Sequence, residues 1–289
     1  GRSSGSLHTI TPVQLATQAL SALRERSITN PAEIDDVGLG VVMPIGEQGA
    51  DITRIALLEA GYGDSVSGFQ LNRFCTSALD TVKMVFGLIA SGQADAGIGG
   101  GVESMSRVQI GSDGGAVYTD PNIGARYPYI PNGVAADLMA ALDGITREQV
   151  DAYAVESQRR ATEAVDSGRF DASLVPVRDR LGNVVLARDE AHRPGTTMAD
   201  LAKLPPAFDK AGAAGYSSIV LRRYPQLERI EPIHTGGNSS GIVDGACAVL
   251  LGSAEFGQRN ALQPRARIRA ATTCADEPLL SLGGPMPVT

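Results

Sequence analysis

Cys75 is the side chain in this sequence with the clearest capacity for covalent chemistry, because of where the local pattern places it. The apolar segment 68–74 predicts a strand, and segment 76–90 predicts an apolar helix. The cysteine therefore stands at a helix start, where unpaired backbone N–H groups and the helix dipole favour the thiolate. Arg73 could add positive charge nearby. Cys75 is a candidate nucleophile, with a small buried apolar residue as the alternative interpretation.

The elements that must position Cys75 alternate between strand and helix. A capping box at Thr11, with Pro12 at the first helical position, predicts a first helix that ends at about Arg26. The order predicted after it is strand 37–43, helix 52–60, strand 68–74, helix 76–90 and strand 94–102. Such alternation is typical of an α/β fold, in which a parallel sheet carries helices on its faces.

The regular pattern breaks beyond residue 104. Segment 105–242 is rich in Gly, Pro and Asn and predicts an inserted, loop-rich subdomain. Within it, one helix is predicted to begin at Thr146, with Gln149 completing a capping box, and to end at Gly168. Regular structure returns with a buried strand at 245–251 and a half-exposed strand at 265–272.

The composition argues against several functional classes. The 289 residues are 43% hydrophobic and 20% charged, with 34 glycines and a net charge of −7, which disfavours nucleic-acid binding. The three widely spaced cysteines suggest neither a disulfide framework nor a metal site. We find no apolar run long enough to span a membrane and no signal peptide, so we expect a reducing, cytoplasmic setting.

Two sequence blocks resemble the thiolase family. The first comprises the nucleophile segment Asn72-Arg-Phe-Cys75-Thr-Ser-Ala-Leu79 and the glycine-rich stretch 92–106, and the second is 237–246, Gly-Asn-Ser-Ser-Gly-Ile-Val-Asp-Gly-Ala. Segments 2–5 and 284–288 match weaker landmarks of the family. The blocks occur in the family's order, so the resemblance covers essentially the whole chain.

The resemblance implies a thiolase fold, which is a layered αβαβα arrangement built from two similar halves. It divides the chain into the first part of the N-terminal half (1–104), a loop subdomain that binds CoA (105–242), the completion of the N-terminal half (243–264) and the start of the C-terminal half (265–289). The family's Gly-His-Pro and Cys-x-Gly-Gly-Gly segments, which supply the base and the second acid, are not found. We expect them to lie beyond Thr289, and we expect an opening strand before residue 2.

The resemblance also implies roles for particular residues. Cys75 would accept the acyl group from a thioester, and Ser240 and Gly241 would line the tunnel for the pantetheine arm. Asn132 aligns with a position that contacts the thioester end, although the family usually has Met there. Arg193 aligns with a position that meets the nucleotide phosphates of CoA, while a solvated loop arginine is the equal alternative.

The implied reaction is acyl transfer between CoA thioesters. The enzyme would cleave a 3-oxoacyl-CoA to acetyl-CoA and a shortened acyl-CoA, or run the reverse condensation, as in fatty-acid β-oxidation. CoA and acyl-CoA are substrates, no permanently bound cofactor is implied, and a homodimer or homotetramer is expected. The alternatives are a non-catalytic CoA- or lipid-binding relative of the sterol-carrier type, and a ketoacyl synthase that uses an acyl-carrier protein.

Three further motifs have simpler interpretations. Segment 237–241 fits the Gly-x-Ser-x-Gly pattern of a hydrolase elbow but lacks the strand before it and the helix after it. His234 could be proposed as a base for Cys75, yet a lone loop histidine is more often structural. The glycines of segment 97–101 lack dinucleotide-binding spacing and predict close backbone packing instead.

Overall fold

The computed structural model describes residues 4–28 and 30–289, so part of the 2–5 landmark lies outside the described residues. The helices are α1 (Pro12–Ser27), α2 (Ile52–Glu59), α3 (Ser77–Ala90), α4 (Ala116–Thr119), α5 (Pro121–Arg126), α6 (Asn132–Asp143), α7 (Arg147–Asp166), α8 (Met198–Leu201), α9 (Asp209–Ala211), α10 (Ser217–Arg223), α11 (Ala254–Arg259) and α12 (Pro285–Val288). The strands are β1 (Asp36–Gly40), β2 (Ser67–Leu71), β3 (Ala96–Ser104), β4 (Val177–Arg178), β5 (Val184–Leu186) and β6 (Asp244–Gly252).

The capping signals in the sequence mark the starts of two helices correctly. The Thr11 side chain accepts a hydrogen bond from Gln14 N, and the Gln14 side chain accepts one from Thr11 N, which begins α1 at Pro12. Thr146 and Gln149 form the same reciprocal pair at the start of α7. Each box satisfies two backbone donors that the helix itself leaves unpaired.

The main sheet has the strand order β2-β1-β3-β6. Strand β1 pairs in parallel with both β2 and β3, which confirms the predicted parallel arrangement around Cys75. Strand β6 runs antiparallel to β3, with Ala96 opposite Gly252 and Ser104 opposite Asp244. A separate antiparallel pair joins β4 and β5.

The two faces of this sheet differ sharply in side-chain size. On one face, Val37, Leu39 and Ile98 are buried in a cluster with residues of α1 and α2, including Leu20 and Leu57. Full burial of each leucine contributes roughly 1.5–3 kcal/mol to stability. The opposite face, which α3 covers, carries glycines from β1 and β3 at alternate positions, namely Gly38, Gly40, Gly97, Gly99 and Gly101.

The described chain divides into two compact units. The first comprises residues 1–113, 173–191 and 242–271, and the second comprises 114–172, 192–241 and 272–289. Segment 173–191, which carries β4 and β5, thus packs with the first unit although the predicted subdomain 105–242 includes it. The predicted domain boundaries at 104, 242 and 264 stay predictions.

The second unit has its own apolar core. Val134 and Leu138 of α6 pack with Val220 of α10 and with Leu279, and all four are almost completely buried. Helix α6 is absent from the predicted pattern, because its first turn carries Asn132 and Gly133, which are typical of loops. The helix is followed by Gly144, whose φ of 66° is typical of a glycine that terminates a helix.

One local prediction is wrong. Segment 265–272 is irregular rather than a strand, because no described strand pairs with it. In α3, the apolar side chain of Leu79 is 71% exposed. The glycine face of the sheet lets α3 approach so closely that its inward positions favour smaller side chains, such as Thr81 and Val85.

No helix among the described residues is long and apolar enough to cross a membrane. Within the same part of the chain, no group of three or more His, Cys, Asp or Glu side chains is arranged to hold a metal ion.

Candidate active site

Cys75 lies between the end of β2 and the start of α3, as the sequence predicts. Strand β2 ends at Leu71, Thr76 is the residue before the first helical position, and Ser77 begins the helix. The Cys75 side chain is exposed and forms no disulfide. The thiol is thus open to a reactant at the positive end of a 14-residue helix.

The turn that carries Cys75 is fixed by its neighbours' side chains. Asn72 accepts a hydrogen bond from Phe74 N at 2.8 Å, and Ser77 Oγ accepts one from Arg73 N at 2.8 Å. Ser77 Oγ also donates to Phe74 O at 2.5 Å. Phe74 adopts a φ of 49°, in the left-handed region that a bulky residue rarely enters. A strained residue held by several hydrogen bonds is common next to a functional group.

The glycine face of the sheet determines how closely this turn can approach the sheet. A Cβ on Gly40 would lie 2.3 Å from Ala78 N, and a Cβ on Gly101 would lie 2.7 Å from Ala78 Cβ. A Cβ on Gly99 would lie 2.6 Å from Val82 Cα. The glycines of β3 therefore serve close backbone packing, as predicted, and the helix start that carries Cys75 rests directly on the sheet.

The basic side chains of Arg73 and Lys83 are directed at a buried carboxylate. Arg73 Nε lies 3.0 Å from Asp80 Oδ2, and Lys83 Nζ lies 3.6 Å from Asp80 Oδ1. Asp80 is in the first turn of α3 and is 4% exposed. The positive charge that Arg73 could offer to Cys75 is therefore largely balanced by Asp80.

Glu103 is a polar residue of this region whose role the sequence did not predict. Its carboxylate accepts hydrogen bonds from Val42 N at 2.6 Å, Met43 N at 3.4 Å and Gln48 Nε2 at 2.7 Å. Gln48 is fully buried and accepts a bond from Ser104 N at 2.7 Å. These bonds fix the chain beyond β1 to the end of β3. The one sequence feature that could have identified Glu103 is its position as an acidic residue near the end of a strongly apolar strand.

The four residues predicted to bind CoA all belong to the second unit, whereas Cys75 belongs to the first. Asn132 is the exposed first residue of α6, and Ser240 and Gly241 are exposed just before β6. Arg193 is also exposed, and its Nη1 donates to Gly236 O at 3.0 Å. That bond connects Arg193 to the segment that leads to Ser240.

The remaining motifs have the structural roles expected of them. His234 Nδ1 lies 2.6 Å from Asp137 Oδ1, so the histidine is held by a buried carboxylate. Segment 237–241 has no strand directly before it and is followed by β6 rather than a helix, which excludes a hydrolase elbow.

Comparison with known proteins identifies the class. The family described as "Thiolase, N-terminal domain" matches residues 1–220. A beta-ketoadipyl-CoA thiolase of Pseudomonas aeruginosa is 34% identical over 309 aligned positions, covering 99% of this chain and 71% of the relative. An acetyl-CoA acetyltransferase of Escherichia coli is 32% identical, covering 100% of this chain and 72% of the relative.

A third relative, the 3-oxoadipyl-CoA/3-oxo-5,6-dehydrosuberyl-CoA thiolase of Escherichia coli, is 35% identical with coverage of 100% and 72%. The chain belongs to the thiolase family. This confirms the predicted fold class and the predicted enzyme class, an acyltransferase that acts by thiolysis. The non-catalytic alternative is not favoured, because these relatives carry enzyme names.

Proposed function

We propose that Cys75 is the nucleophile of the acyl transfer and that Ser240, Gly241, Arg193 and Asn132 contact CoA. The observation that carries the proposal is the exposed thiol of Cys75 at the start of α3, on a turn whose neighbouring groups are hydrogen-bonded. An accessible thiolate at a helix N-terminus is the arrangement that cysteine nucleophiles use.

In the cleavage direction, the Cys75 thiolate attacks the keto carbon of a 3-oxoacyl-CoA. The bond between C2 and C3 breaks, and its electron pair remains on C2, which is then protonated to give acetyl-CoA. The shortened acyl group is left on sulfur. The thiolate of a second CoA attacks that acyl carbon, and Cys75 leaves as a thiolate, ready for another cycle. The reaction needs a base that deprotonates the Cys75 thiol and an acid that protonates C2.

The substrate class is a 3-oxoacyl thioester of CoA, as the names of the relatives suggest for those proteins. Segment 207–233, which includes α10, looks longer than the link expected in short-chain thiolases. It packs on α6, the helix that begins with Asn132. We propose that this segment shapes the acyl pocket and admits bulkier acyl groups than acetoacetyl.

A serine substitution at the nucleophile tests the proposal. In the complete protein, Cys75→Ser should lower the rate of acetoacetyl-CoA thiolysis by about a thousand-fold, because the hydroxyl is a far weaker nucleophile, while the Kd for CoA stays unchanged. Cys247→Ser is the matched control, since Cys247 is also an exposed free cysteine and its substitution should leave the rate unchanged. A Cys75→Ser variant with the original rate would contradict the proposal.

We further propose that the protein works in the cytoplasm as a homodimer or homotetramer. The three cysteines are free and exposed, which suits a reducing compartment. Light scattering on the purified protein would give the oligomeric state, and a monomeric mass would contradict this part of the proposal.

A further inference from the structure

We propose that Asp137 and Asp151 are positioning residues for CoA binding. They are two buried carboxylates that hold segment 233–238, here named the tethered segment, in the conformation that presents Ser240 and Gly241. This inference rests on the proposed function and deepens it, because it names residues that act on the ligand only through the tethered segment.

Asp137 holds the beginning of the tethered segment. It lies on α6 and is 2% exposed. Its Oδ1 accepts hydrogen bonds from Ile233 N at 2.9 Å, from His234 N at 3.2 Å and from His234 Nδ1 at 2.6 Å. One carboxylate oxygen thus fixes two successive peptide groups and a side chain. Asn132, at the start of the same helix, is thereby connected to the tethered segment.

Asp151 holds the end of the tethered segment. It lies on α7 and is also 2% exposed. Its Oδ1 accepts a hydrogen bond from Asn238 Nδ2 at 2.8 Å, while Asn238 Oδ1 accepts one from Thr235 N at 2.7 Å. Arg147 Nε donates to Asp151 Oδ2 at 2.7 Å and orients the carboxylate. Asn238 therefore transmits the position of Asp151 to the backbone of the segment.

The rest of the tethered segment is equally constrained. His234 O accepts a bond from Ala207 N at 2.8 Å, and Gly236 O accepts one from Arg193 Nη1 at 3.0 Å. Gly237 N donates to the side chain of Thr235 at 3.2 Å, and a Cβ on Gly237 would lie 2.4 Å from a methyl group of Leu201. A backbone so fully bonded has little freedom left to lose when a ligand binds.

Ser240 and Gly241 follow the tethered segment after one intervening residue, Ser239, and are exposed. Contact residues on a rigid support bind more tightly than the same residues on a mobile loop, because the ordering cost is absent from binding. Removing a hydrogen bond to Asp137 or to Asp151 should therefore weaken CoA binding, although no residue that contacts CoA is changed. A purely structural role would instead lower thermal stability and leave the affinity of the folded protein unchanged.

The test uses a side chain at each end of the tethered segment. His234→Ala removes one hydrogen bond to Asp137, whereas His234→Asn keeps an amide N–H near the same place. Asn238→Ala cuts the connection to Asp151. Asp143→Asn is the matched control, because Asp143 is an exposed carboxylate on α6. The measurements are the Kd for CoA by calorimetry, the thermal midpoint, and the rate at which iodoacetamide alkylates Cys75.

We expect His234→Ala and Asn238→Ala each to raise the Kd for CoA about ten-fold, because misplaced binding groups cost affinity. His234→Asn should restore the original Kd, and Asp143→Asn should keep it. The alkylation rate of Cys75 should be the same in all variants.

An unchanged Kd in folded His234→Ala or in folded Asn238→Ala overturns the positioning role, whatever happens to the thermal midpoint. A folded His234→Asn variant that binds as weakly as His234→Ala overturns it as well. If the unsubstituted protein itself fails to bind CoA, the proposed function fails rather than the tether, so the two failures are distinguishable.

Discussion

Gly40, the last residue of β1, lies against the backbone of Ala78 in the first turn of α3. A Cβ on Gly40 would be 2.3 Å from Ala78 N and 2.3 Å from the carbonyl carbon of Ser77. Backbone atoms cannot move aside as a flexible side chain can. The turn that carries Cys75 can therefore occupy its position only because Gly40 has no side chain.

Replacing Gly40 should disturb both stability and the reactivity of Cys75. Gly40→Ala inserts a methyl group into a filled space, which should cost about 1–3 kcal/mol in the free energy of unfolding. Because α3 must shift, the alkylation rate of Cys75 by iodoacetamide should change as well. Urea unfolding and alkylation kinetics measure the two effects.

Gly87→Ala is the matched control for this substitution. Gly87 lies in α3, but a Cβ there would meet no heavy atom within 4 Å. The alanine should stabilise the helix by roughly 0.5–1 kcal/mol and leave Cys75 unaffected. A Gly40→Ala protein as stable as Gly87→Ala would contradict the account of the glycine face.

Local sequence signals predicted the strands and helices next to Cys75, and the starts of α1 and α7, well. The caps at Thr11 and Thr146 depend on side chains three residues apart, so they can be recognised in the sequence. Strand β6 was predicted as a buried strand at 245–251, but its residues Cys247 and Val249 are exposed. Its antiparallel direction could not be predicted, because a continuous apolar run has the same pattern in either direction. Segment 265–272 has the alternation of a strand, but pairing depends on a neighbouring strand rather than on the segment itself.

The hydrogen bonds that hold the tethered segment could not be predicted from the sequence for a different reason. Asp137 accepts hydrogen bonds from Ile233 and His234, which lie 96 and 97 positions later in the sequence. Asp151 accepts one from Asn238, which lies 87 positions later. Nothing local distinguishes these aspartates from the exposed Asp143 and Asp166 at the ends of the same helices. Only the fold shows which carboxylates face the tethered segment.

The buried Tyr62 should make stability sensitive to alkaline pH. Its hydroxyl donates to Leu20 O at 3.0 Å, and burial raises the pKa of Tyr62 well above its ordinary value of 10.0. Because the folded-state pKa is the higher one, this contribution to stability is complete below about pH 10 and is lost as the pH rises toward the folded-state pKa. Tyr62→Phe should therefore flatten the decline in unfolding free energy above about pH 10.

The exposed Tyr153 provides the control for Tyr62. It is 81% exposed, so Tyr153→Phe should not change how the unfolding free energy decreases at alkaline pH. Urea unfolding at about pH 8 and about pH 11 gives the comparison, since these values lie on either side of the ordinary tyrosine pKa. Equal declines for the original protein and Tyr62→Phe would contradict the assignment to Tyr62.

The role of Arg193 can be separated from its bond to Gly236 by the choice of ligand. If its guanidinium meets the nucleotide phosphates, Arg193→Ala should raise the Kd for CoA about ten-fold more than it raises the Kd for pantetheine, because pantetheine lacks those phosphates. Calorimetry with both ligands measures this. An equal loss for both ligands would mean that Arg193 acts only by fixing the backbone at Gly236.

The most direct test of Cys75 as the acylated nucleophile is peptide mass spectrometry of the complete protein. The protein is mixed briefly with acetyl-CoA or acetoacetyl-CoA and quenched with acid. We expect an acetyl group on the peptide that contains Cys75 and none on the peptides that contain Cys247 or Cys274. An acetyl group confined to either of those two cysteines, or no acylated cysteine peptide at all, would contradict the role of Cys75 as the nucleophile.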